Sequence, residues 1–219
     1  EGLRYVWKYV RIRNLIILVA ISSLFGMSYV VLMPVFARDI LGGGPKTLGF
    51  LMSSAGVGAF AATAYLASRK TVLGLGRTIA ICSSIFALSL VTFAFSRNVV
   101  TSMIILAVTG FGIMAHMAAS NTILQTIADD DKRGRVMSFY TMAFIGTAPI
   151  GSLLAGILAS AIGASNTLIF GGSVSFLALM IFAMKLPAIR KATHPIYRKM
   201  GIIPEVARGL DSVTEFSSP

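Results

Sequence analysis

The sequence predicts an all-α membrane protein, a bundle of six transmembrane helices. Three observations point there. Six apolar segments, near 14–37, 47–68, 78–95, 100–128, 136–162 and 166–186, each run for about 18–29 residues, enough at 1.5 Å per residue to cross a hydrocarbon core about 30 Å thick. Mean hydropathy is +0.83, and only 12% of the residues are charged. The basic residues fall in alternate gaps: 16 of the 19 lie before the first segment, after the second, after the fourth, and at the end of the sixth or beyond it. Backbone polar groups in lipid must be satisfied within the segment, which favours helices. A membrane barrel would need shorter, alternating segments, and none is seen.

The charge pattern also orients the chain. Arg4, Lys8, Arg11 and Arg13 precede the first segment; Arg69, Lys70 and Arg77 follow the second; Lys132, Arg133 and Arg135 follow the fourth. Arg38, Lys46 and Arg97 alone lie in the first and third gaps. The positive-inside rule then places both termini in the cytosol. It also accounts for the net charge of +11 without nucleic acid, because the charge is spread over membrane-flanking segments. The opening Glu1-Gly2-Leu3-Arg4-Tyr5 is basic and amphipathic, not a cleavable leader. The chain does not begin with Met, so a piece of a longer protein or a processed product is expected.

Taken in order, the first segment carries Ser22, Gly26, Tyr29 and Met33 at helical spacing, beside Phe25 and Met27, and Pro34 near its outer end permits a bend. The second is rich in small residues, among them Gly56 and Gly58, which let helices approach closely in lipid. The third holds the single cysteine, Cys82, so no disulfide framework exists. The fourth places Thr109, Gly112, His116 and Ser120 on one face and Met117, Asn121 and Gln125 on a neighbouring one. His116 is the one imidazole or carboxylate inside the apolar spans. Such groups are costly there and often functional; a neutral His bonded to a neighbouring helix is the alternative.

The gap before the fifth segment reads Asp129-Asp130-Asp131-Lys132-Arg133-Gly134-Arg135. The aspartates suit a helix N-terminus, and the arginines oppose its dipole. Topology or partner carboxylates would explain the arginines. The fifth segment holds Gly146, Pro149, Gly151 and Gly156; its Pro frees a carbonyl and allows a bend. The sixth is bulky and apolar. Beyond it the chain is polar and basic, with Pro195 and Pro204. The expected division is a flank over 1–13, a transmembrane domain over 14–187, and over 188–219 a flexible cytosolic tail, with a surface helix near 196–210 as the alternative.

These pieces resemble the C-terminal half of a major facilitator superfamily transporter, and more narrowly the drug and siderophore exporter branch that includes enterobactin exporters and macrolide efflux proteins. The resemblance covers about residues 1–187. It rests on Glu1-Gly2-Leu3-Arg4-Tyr5, on Pro34-Val35-Phe36-Ala37-Arg38-Asp39 with Leu41-Gly42-Gly43-Gly44, and on the Arg133-Gly134-Arg135 loop with its Gly/Pro helix. It implies one half of the major facilitator fold: two inverted three-helix repeats, corresponding to helices seven to twelve. It implies a cavity lined by the first and fourth helices, an interface with the other half on the second and fifth, and lipid against the third and sixth. Ser68-Arg69-Lys70 and Gly76-Arg77 keep the basic part of the family's cytosolic motif, whose acid is missing here. Gly146, Pro149 and Gly151 look like a degenerate antiporter motif.

The function so implied is export of a small amphipathic compound by alternating access, proton-coupled, in the plasma membrane of a bacterium. Ser22, Phe25, Gly26, Met27, Tyr29, Met117, Asn121 and Gln125 are then cavity candidates, with aromatic and thioether surface for adaptable contact. His116, or an acid in the other half, is the proton-carrier candidate. Arg69, Lys70, Arg77, Arg133, Gly134 and Arg135 form the conformational loops. Gly56, Gly58, Gly146, Pro149, Gly151 and Gly156 serve bending and packing against the other half. Expected partners are that missing half or a second copy, the bilayer and the substrate, with no nucleic acid.

Two other classes compete. An intramembrane serine protease would pair His116 with Ser173, but Gly171-Gly172-Ser173-Val174-Ser175 lacks the Gly-x-Ser-Gly form. A non-transporting membrane module or scaffold would share the same helices. No cofactor or metal is expected: His194 lies in the tail, Cys82 stands alone, and no Gly-rich loop ends in Lys-Ser or Lys-Thr.

Overall fold

The computed structural model describes residues 6–7, 9–26, 29–69, 72 and 74–199, with 186–199 as backbone. Candidates Met27 and Lys70 lie outside the described residues. All six apolar segments are helices: α1 spans Val10–Ile40, α2 Pro45–Ala67, α3 Leu75–Ala94, α4 Val99–Ile127 and α5 Arg133–Ile162, and α6 spans Ala164–Lys199. All six are long and apolar enough to cross a membrane.

Local chemistry sets the boundaries. Pro45 opens α2 in the first turn, where its missing N–H costs nothing. Asn98 caps α4, its Oδ1 accepting from the N–H groups of Val100 and Thr101 at 2.9 and 3.2 Å. Gly74 and Gly163 enter α3 and α6 with φ of 83° and 86°, left-handed values that favour glycine.

Three π-helical turns interrupt the spans: Ser22–Gly26 and Phe36–Ile40 in α1, and Met142–Gly146 in α5. One of them has a visible cause. Pro149 removes a backbone donor and pushes aside the carbonyl four residues earlier, that of Ile145, which lies inside the wide turn Met142–Gly146. The proline of the fifth segment therefore coincides with a π turn.

The sequence places the end of the sixth apolar segment near 186; beyond it the backbone stays helical through Pro187 and Pro195 to Lys199. Ala188, Arg190, Lys191 and Ala192 are strong helix formers, and they carry the helix past the first proline. Residues 200–219 are outside the described set.

The packing exchanges helices between the two three-helix repeats. α4 lies on α2 and α3, whereas α1 lies on α5 and α6, and α3 against α6 joins the two groups. The first helix of each repeat thus completes the other repeat. Small residues make the closest contacts. A Cβ on Gly58 of α2 would stand 1.8 Å from the Ala107 carbonyl oxygen of α4, and one on Gly110 would stand 2.0 Å from that of Ala55. On the other side, a Cβ on Gly151 of α5 would meet the Leu24 carbonyl oxygen of α1 at 2.1 Å.

The buried core centres on α3. Ile79, Phe86, Leu90 and Phe93 are at most 1% exposed, and α3 turns outward only along a stripe that includes Ile81, Leu88 and Phe95. α2 and α5 are the least covered: Phe60 is 76% exposed, Val57 66% and Leu153 66%. Large apolar side chains in the open on these two helices need lipid or a partner to cover them.

Candidate functional site

The cavity candidates divide into two groups. The first group lies inside the bundle. Ser22, Gly26 and Tyr29 on α1, and His116 and Met117 on α4, are buried. Gly26 faces Phe86 of α3, whose ring atoms would stand 2.4 and 2.7 Å from a Cβ there. Gly112 meets the backbone of the same Phe86 at 2.8 Å by the same measure. The Phe86 side chain thus fills the space beside Gly26 on α1, and Gly112 lets α4 approach the Phe86 backbone. Phe25 is half-buried and turns to α6, edge-to-face with Phe170 at 6.0 Å. The even helical spacing that grouped Ser22, Gly26 and Tyr29 marks an inward-packed face; it does not distinguish a cavity wall from the core of the half.

His116 belongs to that inward face. It is fully buried, its Nδ1 lies 3.5 Å from the Ser120 hydroxyl, and its Nε2 has no partner. One helical turn before it, Gly112 abuts Cys82 and Phe86 of α3, and Thr109 donates to Ser89 of α3 at 2.9 Å. The His116 face of α4 is thus the α3-packing face. Met117 has its side chain buried, and its carbonyl accepts from the Tyr140 hydroxyl of α5 at 3.0 Å.

The second group lies in the open. Asn121 is half-buried and Gln125 exposed, one turn apart on α4, and the Gln125 amide donates to the Asn121 amide oxygen. The Arg133 Nε donates to the Gln125 carbonyl at 3.0 Å, while its second nitrogen pairs with Asp130. Asn121, Gln125, Arg133 and Asp130 form a connected polar strip where α4 ends and α5 begins.

That strip resolves the charge puzzle of the loop. Arg133 stands at the start of α5, where the dipole disfavours it. Its guanidinium reaches back to a carbonyl of the last turn of α4, one of the orphan acceptors at a helix C-terminus. Asp131 accepts from Lys132 at 2.6 Å, and that contact holds its carboxyl below the usual range. Arg135 and Gly134 are exposed.

In the other loop, Arg69 donates to the Thr78 hydroxyl at 2.6 Å and to the Tyr65 hydroxyl at 3.3 Å. Hydroxyls of α2 and α3 stand where an acid would be needed for a charge latch. Arg77 is exposed.

The packing glycines also divide. Gly58 and Gly151, expected at the face toward another half, instead let helices touch inside this one, on Ala107 and Leu24. Gly56 and Gly156 are exposed, with nothing within 4 Å of a Cβ placed there, and Gly146 and Pro149 are exposed at the π turn of α5. Sequence spacing could not separate Gly56 from Gly58, because both lie in one run of small residues. Phe86, Tyr140 and Ser23 were missed outright. Nothing local in the sequence marks a core aromatic, a hydroxyl aimed at a carbonyl of another helix, or a π turn.

Comparison with known proteins bears on this arrangement. A family of the major facilitator type described as transmembrane secretion effector matches residues 1–211. The staphyloferrin A transporter of Staphylococcus aureus is 27% identical over 157 residues, covering 72% of this chain and 39% of that protein. The multidrug efflux pump Tap of Mycobacterium tuberculosis is 29% identical over 195 residues, 87% of this chain and 45% of its own length. The pump of the same name in Mycolicibacterium fortuitum is 27% identical over 199 residues. The chain therefore spans less than half the length of the curated relatives it matches.

Proposed function

This chain belongs to the transmembrane secretion effector family of the major facilitator superfamily, and on that premise we propose that it is the C-terminal half of a secondary exporter of an amphipathic organic compound, a drug or a siderophore. The relatives named for staphyloferrin A transport and multidrug efflux support the substrate class. The observation that carries the half-transporter reading is the bareness of α2 and α5. Their apolar faces, with Phe60, Val57 and Leu153 in the open, flank the small-residue positions Gly56 and Gly156, a surface suited to sliding against a second six-helix unit. That unit is the missing half or a second copy.

In this reading Asn121 and Gln125 contact substrate from the open side of α4, and the buried candidates shape the wall behind them. Alternating access moves this half as a body, with Arg133 holding the α4–α5 corner. Proton coupling falls to His116 or to an acid of the other half. The protein acts by transport and not by bond-making chemistry. It sits in the plasma membrane of a bacterium with both termini in the cytosol, following the charge distribution.

The test is uphill efflux in inverted vesicles carrying the full-length transporter. A fluorescent drug or a ferric siderophore should move against its gradient, and collapse of the proton gradient should stop it. Absence of gradient-driven movement of both compound classes would leave the chain as a membrane module without transport.

A further inference from the structure

A cleft separates the basic end of α1 from that of α6, and its lining is sorted by polarity. Asn14 and Lys185 stand at the end near the chain's basic flanks. Ile17 and Ile21 on α1, and Ala178 and Ile181 on α6, continue from them toward the middle of the spans. The two helices run antiparallel, so the polar pair shares one depth and the apolar four lie about 5–10 Å deeper. None of the lining residues is acidic. Asn14 is 9% exposed, and its amide nitrogen has no hydrogen-bond partner, an unusual state for a buried donor. Lys185 and Ile181 are exposed. Trp7, seven residues before Asn14 and ahead of α1, is 55% exposed and stacks under Arg13 at 5.7 Å; such rings settle at head-group depth. Arg11 and Arg13 on the α1 side add positive charge to the same end.

We infer that this cleft binds an anionic phospholipid of the cytosolic leaflet. Its phosphate would meet the Lys185 ammonium and the unused Asn14 amide donor, and the upper acyl chain would lie on Ile17, Ile21, Ala178 and Ile181. A soluble anion would use the polar end but has no use for the apolar continuation, whereas a lipid fits both. Basic clefts between helices at the cytosolic face suit anionic head groups, and each lysine near the surface contributes roughly fivefold in affinity. The inference rests on the orientation proposed above and is independent of the exporter reading, since binding is measured without transport.

The full-length transporter in mixed micelles would be irradiated with a phosphatidylglycerol bearing a diazirine on its upper acyl chain. Adducts should appear on the peptides holding Ile17 and Ile181. Excess phosphatidylglycerol should suppress them; phosphatidylcholine and inorganic phosphate should not. Lys185→Gln should lower the yield about fivefold. Asn14→Leu, a change of similar volume that removes the donor, should also lower it and serves if Lys185→Gln does not fold. Equal suppression by phosphatidylcholine, suppression by inorganic phosphate, absence of these adducts, or full yield in the folded variants would each overturn the assignment.

Discussion

Ser23 donates its hydroxyl proton to the carbonyl of Phe144, tying the π turn of α1 to the π turn of α5. Each wide turn leaves backbone groups in poor register, and this bond satisfies one of them from the neighbouring helix. Interhelical hydroxyl bonds in membranes contribute about 1 kcal/mol. Ser23→Ala should therefore lower the unfolding free energy of the full-length protein by about that amount. Ser160→Ala is the control, because Ser160 bonds only to its own helix at Ile157 and is exposed. Equal stability of the two variants in a thermal melt would count against the tie.

The two glycines of α2 should behave in opposite ways. A methyl on Gly58 would meet the Ala107 carbonyl oxygen at 1.8 Å, so α2 and α4 would have to part; Gly56 has open space there. Gly58→Ala should cost about 2 kcal/mol of stability, and Gly56→Ala almost none. Gly56→Trp should leave the fold intact yet slow transport, since its bulk projects from the face assigned to the other half. A melt combined with an efflux assay separates the two effects.

The fold was legible in the sequence to the extent that it depends on composition. Span length and apolar content located all six helices, because a bilayer demands both. The arrangement of side chains was less legible. Ser22 and Gly26 share helical spacing on one segment, as do Gly112 and His116 on another, but spacing alone does not say which neighbour a face meets. Phe86 decides that for the two glycines, and it lies a long way from either in sequence. Beyond the sixth segment, the good helix formers after Pro187 sustain the helix to Lys199. For the open strip, Asn121 and Gln125 were legible from their spacing; the reach of Arg133 back to Gln125 depends on the turn between α4 and α5.

Arg133 and Arg135 should separate in function. Arg133 bonds the Gln125 carbonyl and pairs with Asp130, fixing the corner between α4 and α5. Arg133→Ala should lower efflux at equal membrane abundance, and Arg133→Lys should not restore it, because an ammonium lacks the planar fork that serves both partners. Arg135→Ala should have the smaller effect. Full rescue by Arg133→Lys would reduce the residue to a topological charge.

Orientation is open to direct labelling. Gly44 is exposed, with open space for a side chain, and Ser165 stands in the first turn of α6, just after the gap that follows α5. A membrane-impermeant maleimide applied to intact cells should label Gly44→Cys and Ser165→Cys but not Asp130→Cys, whose side chain is equally open. Cys82 is buried and should stay silent. Labelling of Asp130→Cys in intact cells would reverse the assignment of the basic loops to the cytosol.

The two groups of cavity candidates should respond differently to mutation. Asn121 and Gln125 lie on the open side of α4, bonded to each other. Removal of either amide changes which polar groups a ligand meets while leaving the core packing alone. Asn121→Ala and Gln125→Ala should therefore shift the ranking of substrates by several-fold, with melting behaviour close to the parent; one hydrogen bond contributes about 1 kcal/mol, or roughly fivefold. Tyr29→Ala empties a buried volume and should instead lower stability by about 3 kcal/mol. His116 decides the coupling question. It is buried beside Ser120 with one ring nitrogen unpartnered. If the imidazole carries the coupled proton, His116→Gln should abolish uphill efflux and spare downhill exchange. If it only packs against α3, uphill and downhill rates should fall together in proportion to the folded fraction, and the coupling acid is then to be sought in the other half.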